Sequence, residues 1–126
     1  MTDLIRVDAH AHLYRTTEEG YAEKTGYEVW EYGKQADVHQ TECVGTVDEL
    51  LLQMQSAGVN KAIIVNLFSA VVRRKVAVEA LPEGLTEYEK EKRMADIDAW
   101  VRSEIISFNK WNCDLSQQHP ELAAFV

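Results

Sequence analysis

The run TVDELLLQMQSAGVNKAIIVNLF, residues 46–68, holds one helix and one strand with almost nothing between them, and their order sets the fold class. Thr46 opens the run and Glu49 follows three residues on, the capping-box spacing in which each side chain satisfies a free backbone N–H of the other. Val47, Leu50, Leu51 and Met54 recur at helical period, and Gly58 supplies the residue that enters the left-handed conformation at a helix end. After Val59 and Asn60 comes KAIIVNLF, 61–68, apolar at consecutive positions, as a strand covered on both faces of a parallel sheet must be.

Working outward, LIRVDAHAH at 4–12 alternates as a strand. Ile5, Val7, Ala9 and Ala11 fall on one face, and Arg6, Asp8, His10 and His12 on the other. The unit is therefore strand–helix–strand, with a right-handed crossover expected. Residues 13–45 form a long strand-to-helix loop without helical period, rich in Tyr14, Tyr21, Tyr27, Trp30 and Tyr32, with a hairpin expected near YEVWEYGKQADV. A second long connection, 69–85, contains a short helix and a break at LPEG. Thr86 and Glu89 repeat the capping-box spacing, and Ile97, Trp100, Val101, Ile105, Phe108, Trp111 and Leu115 form an apolar helical stripe that Pro120 ends. LAAFV, at 122–126, opens a third strand.

Bulk properties narrow the class. With 46% apolar and 27% charged residues among 126, the chain has the composition of a single globular domain. A net charge of −8 argues against a nucleic-acid partner, since phosphate backbones select clustered Lys and Arg. The short RRK cluster at 73–75 reads as a solvated face. Cys43 and Cys113 stand far apart in no metal-type pair, so they are expected to be reduced thiols. With no secretory leader and no apolar run long enough for a membrane span, a cytoplasmic protein without membrane partners is expected.

The two strand-to-helix connections are long and the two helix-to-strand connections short. Sites in parallel α/β folds gather at the carboxyl ends of strands, and His10 and His12 stand there. Residues i and i+2 of a strand point the same way, about 6.5–7 Å apart, which lets two imidazoles converge on one ion. Small, apolar Ala11 between them suits the helix-facing side. The bland reading makes Arg6, Asp8, His10 and His12 the wet face of an edge strand. An uncovered polar face beside a strand apolar on both sides favours the metal reading.

VDAHAHLY, then TVDELLLQMQSAGVNKAIIV and NKWNCDLSQQHPELAAFV, resemble the opening of the amidohydrolase-related family, metal-dependent hydrolases and decarboxylases on a (β/α)8 TIM barrel. The H-x-H itself is shared with other metal-dependent barrel hydrolases. The resemblance implies that His10 and His12 are two ligands of a divalent metal, zinc by preference. It also implies a small-molecule substrate, with hydrolysis of a lactone- or amide-type bond or non-oxidative decarboxylation. Such a barrel needs about 250 residues. Residues 1–126 are accordingly expected to be the N-terminal part of a TIM-barrel domain, inactive alone, with the family's general base beyond residue 126. A homo-oligomer would cover some exposed surface, but nothing in the sequence demands one.

Secondary roles follow. Asp8 is a candidate for a hydrogen bond to a ligand, against a structural pairing with Arg6. Tyr14 and Trp30 are candidates for a substrate pocket, against simple loop packing. His39 is read as a surface residue and His119 as a helix-end residue; Trp100, Phe108 and Trp111 are read as core. The rival function from another class is a small non-catalytic α/β protein that binds a partner through its aromatic first loop.

Overall fold

The computed structural model describes residues 4–24 and 42–126. The helix expected after Thr46 forms as α2, Val47–Ala57, on a complete capping box: the Glu49 N–H donates to the Thr46 hydroxyl, and the Glu49 carboxylate accepts the Thr46 N–H. That carboxylate also accepts the N–H groups of Val44 and Gly45 at 3.0 and 2.9 Å. Gly58 closes the helix in the left-handed region at φ 66°. The chain enters β2, Lys61–Val65, two residues later.

These donors, the Thr46 N–H foremost, hold the Glu49 carboxyl below its ordinary value of 4.5. Folding therefore lowers this pKa. The stabilisation is full above the unfolded value and is lost as pH falls through the folded one. Glu49→Gln is expected to cost about 1 kcal/mol at pH 7. Urea melts should show the difference between the two proteins shrinking as pH falls below 4.5; a difference constant to pH 3 would contradict the assignment.

The other elements are β1 (Val7–Ala11), α1 (Thr17–Ala22), α3 (Ala70–Glu79), α4 (Glu87–Gln118) and β3 (Leu122–Phe125). α4 starts on the second expected capping box, Thr86 with Glu89. The strands form one parallel sheet in the order β1-β2-β3. Ala62 and Ile64 of β2 are fully buried on one face, where they meet Leu122, Met54 of α2 and Leu115 of α4.

Several expectations are corrected. The TIM-barrel portion is not what forms: the sheet is open and three-stranded, and with four helices among the described residues it makes a small α/β domain. The β–α–β pattern that suggested a barrel is common to open and closed parallel sheets; closure depends on pairing the outer strands, and among the described residues β1 and β3 are both edges. Nor is the sheet covered alike on its two faces. Opposite the core, Ile63 and Val65 are half-buried, while Ala123 and Phe125, their β3 register partners, are exposed.

The strand expected over 4–12 is shorter, and it is not regular. Asp8 stands in register with Ala62 and Ala11 with Ile64, so three steps of β1 span two of β2. This bulge breaks the strict alternation that placed Asp8 with the histidines. The connection at 69–85 is mostly the ten-residue helix α3. Trp100 is 41% exposed, so it leaves the expected core stripe, whereas Phe108 is buried and Trp111 packs against the core. The expected hairpin and Tyr27, Trp30, Tyr32 and His39 lie outside the described residues.

Candidate metal centre

His10 and His12 lie at the carboxyl end of β1, beside the carboxyl end of β2. Their Nε2 atoms meet at 3.0 Å with the rings at right angles, so the two side chains share a face and converge on one point. His12 Nδ1 lies 2.8 Å from the carbonyl oxygen of Val65, the last residue of β2. A carbonyl only accepts, so the Nδ1 of His12 carries the proton and donates. In the neutral ring Nε2 then carries the lone pair, aimed at His10. His10 is exposed and His12 half-buried, which leaves their meeting point open to solvent.

This donor set fits a divalent ion. Two nitrogens each about 2.0–2.1 Å from a shared zinc subtend about 90–110° when they lie about 3.0–3.4 Å apart. The observed separation of 3.0 Å falls at the close end of that range. A ligating histidine commonly donates its other ring N–H to a carbonyl or carboxylate, and Val65 provides that acceptor for His12. Among the described residues, no group of three or more His, Cys, Asp or Glu side chains gathers around an ion position.

The other sequence candidates have different places. The Asp8 carboxylate accepts the backbone N–H of His10 at 3.0 Å rather than bonding an imidazole. This local turn serves a donor beside the bulge, where the ladder is interrupted. Tyr14 is half-buried; its N–H donates to the Gly45 carbonyl, and its ring stacks beside Phe108 at 6.4 Å between centroids. Trp30 is among the residues outside the description. His119 caps the end of α4, its N–H bonded to the Leu115 carbonyl.

Sequence reasoning missed two polar groups behind this rim. Asn66, immediately after β2, donates through Nδ2 to Oδ1 of Asn109 on α4. The signal was present: in KAIIVNLF the apolar run is broken by one amide, at the position where the strand ends. Compared with known proteins, the chain matches no family model, no curated protein and no solved structure.

Proposed function

We propose that His10 and His12 hold a divalent metal, zinc by preference, as part of a metal-dependent hydrolytic or decarboxylating site for a small molecule. The observation that carries the reading is the convergence of both Nε2 atoms with His12 tied back to Val65. Neutral imidazole nitrogens suit zinc among the divalent ions. What the ion supplies when bound is Lewis acidity toward a carbonyl or carboxylate oxygen. The reaction class rests on the resemblance of VDAHAHLY and the segments after it to amidohydrolase-related enzymes.

The protein's own part is positional. His12 keeps its proton on Nδ1 through the Val65 carbonyl, so its Nε2 needs no change of tautomer to bind a cation. His10 stands at the exposed side, where a substrate approaches from solvent. Catalytic zinc normally has three protein ligands, so two histidines leave positions for a further donor and for substrate.

Cobalt(II), whose visible spectrum reports its ligands, tests the reading directly. The chain is expected to take up one equivalent, and the His10→Ala/His12→Ala double variant none. A chain that binds no cobalt or zinc, or a double variant with undiminished uptake, would overturn the assignment.

A further inference from the structure

We propose that Asn66 and Asn109 are a positioning pair that fixes the tautomer and aim of His12 through the Val65–Asn66 peptide. The inference rests on the metal reading only for its zinc measurement.

The orientation of the Val65 carbonyl is the orientation of the peptide plane that ends in the Asn66 nitrogen. This plane sits where β2 stops, so the regular ladder no longer defines it on both sides. The Asn66 N–H reaches the Phe125 carbonyl at 3.4 Å, a long bond that by itself holds the plane loosely. The second hold is the Asn66 side chain, whose Nδ2 donates to Asn109 Oδ1. Asn109 belongs to the 32-residue helix α4, next to buried Phe108 and in the same stretch as buried Leu115. The route from helix to ligand is therefore short: Asn109, the Asn66 amide, the shared peptide, the Val65 carbonyl, then the Nδ1 of His12.

The amide at 66 carries a cost that calls for a reason. Its Oδ1 is buried and has no donor among the described residues. An apolar side chain would avoid that desolvation. The clamp on the peptide supplies the reason, because only a donor at this position reaches the Asn109 oxygen. Asn112, one helical turn further, gives an internal control: it is buried with neither amide atom bonded among the described residues.

The test compares Asn109→Leu, which removes the acceptor, with Asn109→Asp, which keeps it, and with Asn112→Leu. Asn66→Ala removes the donor from the other side. Long-range proton–nitrogen correlation spectra of the imidazoles report the His12 tautomer without any metal, and zinc titration reports affinity. The wild-type chain and Asn109→Asp are expected to show His12 locked with its proton on Nδ1. Asn109→Leu and Asn66→Ala are expected to show averaged tautomers and zinc binding weakened about 10–100-fold. Asn112→Leu should leave both readouts unchanged.

An Asn109→Leu chain with the wild-type His12 pattern would overturn the proposal, as would an equal disturbance by Asn112→Leu. No zinc uptake by the wild-type chain, with His12 locked there and averaged in Asn109→Leu, would overturn the metal reading while supporting the pair's role. Full zinc affinity with an unchanged tautomer in Asn109→Leu would do the reverse.

Discussion

Replacing Ile64 by alanine is expected to lower the unfolding free energy by about 3–4 kcal/mol. Ile64 is 1% exposed on the central strand, closed in by Leu13, Met54, Leu115 and Leu122. Three methylene-sized groups are lost from a site whose walls come from two helices, the neighbouring strand β3 and the segment just after β1. Those walls cannot all relax inward together, so most of the cavity stays open and the cost lies high in the usual range. The loss of a β-branched residue from a strand adds a smaller term of the same sign. Ile64→Val, which removes one group, is expected to cost about 1 kcal/mol. Urea melts at constant m-value measure both. An Ile64→Ala loss under about 1.5 kcal/mol would mean that the core collapses readily, and the packing account would fall.

Glu23→Ala is expected to cost about 3 kcal/mol or more, although glutamate at a helix end is ordinarily a surface residue. Here it is 1% exposed at the end of α1. One carboxylate oxygen accepts the Ser69 hydroxyl at 2.6 Å, and the other meets Arg73 at 3.0 Å. The Arg73 guanidinium is itself mostly buried and lies over the Phe68 ring at 4.5 Å. Removing the carboxylate withdraws a buried counter-charge from a cation that has already lost most of its water. The poorer compensation of that mostly buried charge, together with the Ser69 hydroxyl's lost acceptor, dominates the cost. The double variant Glu23→Leu/Arg73→Leu is therefore expected to recover most of the stability. Thermal melts of the single and double variants decide this. A double variant no more stable than Glu23→Ala would show that packing, not charge, sets the effect.

The candidate site was legible in the sequence to the extent that it is local. His10 and His12 are two residues apart on an extended chain, and that spacing alone turns their side chains to one side. The acceptor for His12 was not legible, because Val65 is 53 positions away and offers only a backbone carbonyl, a group every residue has. Asp8 shows the opposite failure. Its place two residues before His10 suggested a shared face, but the bulge is a property of the pairing with β2 and leaves no mark in β1.

What the sequence by itself determined are the contacts that close within a few residues. Thr46 and Glu49, and Thr86 and Glu89, start α2 and α4 because each cap needs only its own first turn. Gly58 ends α2 because its missing Cβ opens the left-handed region. The apolar run at 61–65 becomes the central strand of a parallel sheet. The tertiary structure alone decided that the sheet is open, that one of its faces carries the core, that Glu23 is buried against Ser69 and Arg73, and that Asn66 is held by Asn109. Each of these depends on which distant surfaces meet. A burial pattern records only that a residue leaves water and says nothing of the partner it meets.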